Sequence, residues 1–401
     1  MTERPAYSFN ILRVFNFVMY GALAVYGTFF SLYLKDIGIS PIEIGTLLAG
    51  GPIVSLVANP LWAYWADRMR NNRIVLILAL IGAFATMQVV FSTGNEPLIY
   101  GAILVYFIFQ SPLFTQSNSL ILNTIEGTRH KFGAFRMWGS LGWAVTAAAS
   151  GPLIGHLGIH KLWVVFDVAM LVAIAIAFLL PRGSEMQNAG SSNKTSYAQI
   201  FANRPFLMLL GIGVLVSVPN SINGTFVGLY IDQLGGSASV VGWSMFATAF
   251  LEAPVFLLMD KYMKRSVKPM VGWLVIASLL YTIRWALMGT ADTALQIVAI
   301  QLMHCATFGI YYYVGTQLTS LFVPAEYRSS GQAIYGLTWG GVSGILAGTV
   351  GGWMFQELGP QEMYRISAGV TLMGTIAFCA MLRMVSRRRF DRRPEGNNSG
   401  A

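Results

Sequence analysis

Apolar stretches follow one another along almost the whole chain, near 11–34, 42–65, 74–92, 98–123, 132–157, 161–181, 205–231, 239–260, 268–289, 294–322, 331–356 and 363–386. Crossing the roughly 30 Å of hydrocarbon in a bilayer takes about 17 to 25 residues of helix, and each stretch is of that order. Without water to satisfy the backbone, only helices or a closed strand barrel can span a membrane. A barrel needs short alternating segments rather than continuous apolar runs. The expectation is an all-α integral membrane protein with twelve transmembrane helices.

Composition agrees. Of the 401 residues 55% are hydrophobic and 11% charged, against about 25% charged in soluble domains, so no water-facing surface could be built from them. Cys305 and Cys379 lie inside apolar runs, which argues against a disulfide framework or a zinc site. Four histidines show no metal-ligand spacing, and neither GxSxG nor a phosphate-binding glycine loop followed by lysine occurs. The reading is therefore not an enzyme, with no cofactor and no metal.

The net charge of +9 raises nucleic acid as a partner, but its placement points to a membrane. With the N-terminus inside, 20 of the 26 lysines and arginines fall on the inner side, and only Lys35, Lys161 and Arg365 on the outer. This bias places both termini in the cytoplasm of a multi-pass inner (plasma) membrane protein, with the first apolar run an uncleaved span. The expected partners are a small-molecule substrate, protons and the lipid bilayer, with no nucleic acid, and the protein is expected to act as a monomer. The one long polar connection, 183–204, is expected to be a cytoplasmic linker between six-helix bundles at 1–182 and 205–386, and 387–401 a basic, disordered tail.

The two halves resemble each other. FFSLYLKDIGISPIEIG (29–45) recurs as FVGLYIDQLGGSASVVG (226–242), matching Tyr33 with Tyr230, Gly38 with Gly235, Ser40 with Ser237 and Gly45 with Gly242, each pair 197 residues apart. Asp67-Arg68 is echoed by Asp260-Lys261, and GPLIGHLG (151–158) by GWMFQELG (352–359). Repeated six-helix units of this kind are a mark of secondary transporters, whose substrate site lies between the halves near the midplane. The two bundles are thus expected to be pseudo-symmetric.

These landmarks resemble those of the major facilitator superfamily. AYWADRMRNNR (63–73) is similar to its GxxxD(R/K)xGR(R/K) motif, with Ala63 in place of the glycine. FGAFRMWGSLGW (132–143) looks like the start of the fifth helix in the branch holding lactose permease, nucleoside:proton symporters and phenylpropionate permease. Glu252 in FLEAPVF, Arg284 in TIRW and QLMHCATF (301–308) resemble the phenylpropionate permease pattern in order and spacing.

Ionisable groups inside a bilayer are costly and face a cavity or a partner. Here they are Arg13, Arg136, Asp167, Glu252, Arg284 and His304. Glu252 and Arg284 lie well inside their helices, where neutralisation or mutual pairing is expected. A shielded carboxylate that an arginine approaches and leaves can change protonation state, which proton coupling requires. By resemblance, Gln301, His304 and Thr307 stand at the positions of a lysine, a histidine and a glutamate in lactose permease, so that glutamate is missing here. Glu252, near a substrate-contacting acid of that permease, becomes the expected proton carrier, with Arg284 and His304 as its partners.

Arg136 resembles the sugar-contacting arginine of the same permease. Its fourth-helix neighbours, Gln116 to Ser119, include Asn118 but no acid. Asn16, Tyr20 and Tyr26 on the first helix, and Asn220 and Asn223 on the seventh, are polar or amphipathic positions on repeat-equivalent helices. The expected substrate contacts are Arg136, Asn118, Asn16, Tyr26, Asn223 and Gln301. Asp67, Arg68, Asp260 and Lys261, at inner helix ends, are expected to gate. The function expected is proton-coupled uptake of a small organic solute such as an aromatic acid, sugar or nucleoside. The alternative is proton-driven efflux, since AAASGPLIGH (147–156) approaches the glycine-rich motif of antiporters.

Overall fold

The computed structural model describes residues 6–69, 71–125, 128–130, 132–181, 203–323 and 328–387, and these are helical almost throughout. The expected linker (183–204) and tail (387–401) lie almost wholly outside the described residues, as do the side chains of Asp67 and Asp260.

Twelve membrane helices account for the described residues. In the first half they are α1 (Ala6–Asp36), α2 (Pro41–Met69), α3 (Asn72–Ser92), α4 (Glu96–Gln110 continued by Pro112–Ile125), α5 (Gly133–Leu157) and α6 (Leu162–Ala177). In the second they are α7 (Arg204–Gln233), α8 (Ala238–Tyr262), α9 (Val267–Met288), α10 (Ala294–Gln301, then Ile310–Phe322), α11 (Arg328–Gly336, then Ser343–Glu357) and α12 (Pro360–Arg387). Ten of these segments are long and apolar enough to cross a membrane by composition alone. The two that fall short are α5 and α8, which carry Arg136 and Glu252 and face each other across the centre of the molecule.

Local chemistry sets the helix ends. Asn71, Asn95 and Asn203 accept hydrogen bonds from the backbone N–H groups of Ile74, Leu98 and Phe206. Thr293 and Gln296 form a reciprocal capping box at the start of α10. Four glycines take positive φ, Gly38 (96°), Gly235 (76°), Gly158 (85°) and Gly359 (82°), a conformation that a side chain strongly disfavours. They form two pairs of repeat equivalents, so the turn after α1 matches that after α7, and the turn after α5 matches that after α11.

The same symmetry governs how the halves meet. A Cβ on Gly45 would collide with the Gly348 carbonyl oxygen, and one on Gly242 would collide with the Ala147 carbonyl oxygen. The α2–α11 seam and the α8–α5 seam are therefore copies of one close backbone approach. Residues 147–156, which suggested an antiporter motif, supply one of these seams. Cross-half hydrogen bonds Ser31 to Thr225, Lys35 to Asp232 and Ile42 to Gln356 lie at the same end, named the outer end after the orientation given by the charges. The outer part of α11, Ser343–Glu357, packs on α2, whereas Arg328–Gly336 packs on α10 in its own half. The halves are thus closed together at the outer end.

Large apolar side chains such as Leu171, Met373 and Ile376 are more than half exposed and form the belt that lipid would cover.

Candidate functional site

Between the halves, beneath the closed outer end, lies a cavity of about 380 Å³, within the size range of small-molecule sites. The first half contributes Tyr20 from α1, Phe114 from α4, and Arg136, Ser140 and Trp143 from α5. The second contributes Asn220 and Asn223 from α7, Glu252 from α8, and Gln301, His304 and Phe308 from α10.

Arg136 projects from the first turn of α5, its guanidinium 4.4 Å from the centre of the Tyr20 ring and donating to Ser140 Oγ at 3.3 Å. Glu252, from the other half, lines the same cavity. The two do not form an ion pair: among the described residues those are Lys35 with Asp232 and Arg365 with Glu362. A basic and an acidic side chain from opposite halves therefore line the one cavity without closing on each other.

The second half holds a buried polar chain. Arg284 is fully buried in α9 and donates to Gln301 Oε1, to His304 Nδ1 at 3.1 Å and to Thr307 Oγ1 at 3.1 Å. Its guanidinium also lies 4.6 Å from the Trp285 ring centre. The expected pairing of Arg284 with Glu252 is not what the structure forms. Three neutral acceptors and an aromatic face carry the arginine instead. α10 is broken here: after Gln301 the helix passes through a turn and a π-helical segment, Cys305–Gly309, and residues 301, 304 and 307 all reach Arg284 on α9. Thr307 Oγ1 bonds back to the carbonyls of Met303 and His304 inside this segment, and such π turns cluster at functional sites.

The tautomer of His304 follows from its partner. Arginine can only donate, so Nδ1 accepts and Nε2 carries the hydrogen. While that bond stands, His304 has no open lone pair with which to take a proton. From Gln301 the chain continues, Nε2 donating to Asn223 Oδ1 at 3.0 Å, which also accepts from the Tyr364 hydroxyl at 3.0 Å.

The structure thus brings Arg136, Glu252, Asn223, Gln301 and His304 to one cavity, with Arg284 immediately behind. Three other expected substrate contacts do not line it. Asn16 is fully buried between α1 and α4, donating to Leu12 O and accepting from Ser117 Oγ at 2.9 Å, so it joins helices. Asn118, on the same α4 segment, lies away from the cavity lining, its Oδ1 buried without a partner. Tyr26 packs against Tyr106 and Phe30, with ring centres 4.7 Å apart in each case. Of the gating residues, Arg68 bonds Tyr64 Oη in its own helix and Lys261 lies over its neighbour Tyr262; neither spans the halves. Asp167 accepts from Gln88 Nε2 on α3 at 2.7 Å, and Arg13 packs over Phe135.

Trp143, Ser140, Phe114 and Phe308 went unread in the sequence. A signal existed for Trp143, seven residues after Arg136 and so on the same helix face.

Two six-helix repeats enclosing a central polar cavity in an apolar belt define a multi-pass membrane transporter. Residues 9–366 match the model of the MFS_1 like family; the chain belongs to this family of the major facilitator superfamily and is a transporter, not an enzyme. It is 28% identical to the maltose permease of Geobacillus stearothermophilus over 383 residues, covering 95% of each chain. It is 24% identical to a probable 3-phenylpropionic acid transporter of Escherichia coli (strain K12), covering 86% of this chain and 90% of that one. Among solved structures, the nucleoside transporter NupG superposes with a TM-score of 0.77 at 16% identity, covering 94% of this chain and 99% of that one, which supports the shared fold.

Proposed function

We propose that the protein is a proton-coupled symporter that takes up a sugar of about disaccharide size by alternating access, as a monomer in the cell's inner (plasma) membrane with both termini cytoplasmic. The observation that carries this reading is the cavity, where an arginine and a glutamate from opposite halves face each other among amides and aromatic rings. Pyranoses offer both hydroxyl oxygens for amides and a guanidinium and C–H faces for rings such as Trp143, and a carboxylate such as Glu252 takes hydroxyl hydrogens. The similarity to a maltose permease over nearly the whole chain supports the same substrate class.

Glu252 is the proton carrier in this reading, because it is the acid that lines the cavity while His304 has its accepting nitrogen occupied by Arg284. A bound sugar bridging Arg136 and Glu252 would draw the halves together and favour the change of access. Purified protein in proteoliposomes tests the proposal. Labelled maltose should accumulate against its gradient when the interior is made alkaline, and collapse of the pH gradient should release it. Maltose that neither binds nor accumulates, where 3-phenylpropionate or uridine does, overturns the sugar assignment.

A further inference from the structure

We propose that Arg284, which does not line the cavity, fixes the hydrogen-bonding polarity of the part of the wall that α7 and α10 supply, so that these two helices meet the substrate with donors. The inference rests on the cavity being the transport site, not on which solute occupies it.

A guanidinium has donors and no acceptor, so whatever faces it must accept. Gln301 therefore turns Oε1 to Arg284, which leaves its Nε2 to donate onward to Asn223 Oδ1. Asn223 must in turn accept, and Tyr364 closes the arrangement by donating to the same oxygen. A flipped Asn223 would set its NH₂ group against the Gln301 NH₂ group. The Nδ2 of Asn223 is thus the end that remains for the cavity, and it makes no hydrogen bond among the described residues.

Two neighbours fall in line. The His304 tautomer imposed by Arg284 leaves Nε2–H as its remaining polar group. Asn220, one turn before Asn223, accepts from the Tyr281 hydroxyl through Oδ1 at 3.0 Å, leaving its own Nδ2 as well. The wall made by α7 and α10 thus offers N–H groups, with the Glu252 carboxyl on α8 as the acceptor facing them. A solute that fits presents oxygen acceptors, whether hydroxyl, ether or carboxylate, to α7 and α10, and a donor to Glu252.

This makes Arg284 a positioning residue that acts on specificity through Gln301 and Asn223. A double-mutant cycle tests it, read with whichever of maltose, 3-phenylpropionate and uridine the wild-type protein takes up. That choice separates a failure of the sugar assignment from a failure of this inference. Asn223→Asp keeps both bonds to Oδ1 and replaces the cavity-facing N–H donor with a carboxylate oxygen, which accepts and also carries negative charge. It should raise KM at least tenfold, with turnover and Tm close to wild type. Arg284→Gln, which can donate or accept and so releases the direction of the chain, should raise KM severalfold, and Arg284→Lys should restore most of the loss. The double variant Asn223→Asp/Arg284→Gln should be no worse in KM than Asn223→Asp alone. If the two effects multiply instead, or if Asn223→Asp leaves KM unchanged, Arg284 does not act through Asn223. If Arg284→Gln fails to fold, the comparison passes to Gln301→Met, which cuts the same chain one link later and should likewise add nothing to Asn223→Asp.

Discussion

Lys35 and Asp232 stand 197 residues apart, the offset that relates the two repeats, and their side chains meet at 2.6 Å. Each is the other's counterpart, so the ion pair sits where α1 and α7 of the two halves converge at the outer end. Both side chains are nearly half exposed, and such pairs contribute about 0.2–1 kcal/mol. Lys35→Asp should therefore raise the outward-open population by a factor of about 1.4 to 5, and the exchanged pair Lys35→Asp/Asp232→Lys should return it to wild type. Electron-spin distances between labels on the outer turns check this, and an unchanged distribution in Lys35→Asp would remove the pair from the closure.

Glu252→Gln should abolish accumulation driven by a pH gradient, while exchange of labelled for unlabelled substrate at equal concentrations continues at a rate within about threefold of wild type. The amide keeps the size of the side chain and cannot release a proton. Uphill accumulation by the variant would reassign coupling, with His304 next to be examined once its bond to Arg284 is released.

Arg136→Lys preserves the charge and loses both the planar stack on Tyr20 and the fork of donors. It should raise KM more than tenfold, about 1.4 kcal/mol or more, whereas turnover at saturation should fall much less. Steady-state uptake curves decide, and wild-type KM in the variant would show that the guanidinium does not touch substrate.

At the seams, Gly45→Val or Gly242→Val would force side-chain atoms into a backbone carbonyl of the other half. Either change should hold the outer end apart and cut transport to a few per cent of wild type while leaving binding from outside intact. Labelling of a cysteine introduced beside the cavity by a membrane-impermeant thiol reagent should speed up. Normal transport by Gly45→Val would mean that the seam is slack.

Much of the fold was legible because its determinants are local. Apolar run length and the Gly38/Gly235 and Gly158/Gly359 turns are all written within short windows. The site was legible only in part. Arg284, Gln301 and His304 stood out as polar groups in apolar text, but which of them touch depends on how α9 and α10 pack and on the break in α10 after Gln301, and neither leaves a mark a periodic reading detects. Asn16 and Tyr26 failed as cavity residues for a related reason. A polar group in a membrane helix can satisfy itself on a neighbour, as Asn16 does on Ser117, and only the rotation of α1 against α4 decides between the two. Trp143 is marked in the sequence only by its seven-residue spacing from Arg136, a signal that counts once Arg136 itself faces the cavity.

Both π segments among the described residues, Cys305–Gly309 and Leu337–Val342, belong to the second half. A π turn accommodates one residue more than an α turn, and one residue shifts everything beyond it by about 100° around the helix axis. A duplicated six-helix unit can in this way re-aim the side chains of one copy without altering its turns or its seams. In such a scaffold, binding chemistry is free to diverge by single-residue insertions while the parts that move stay matched.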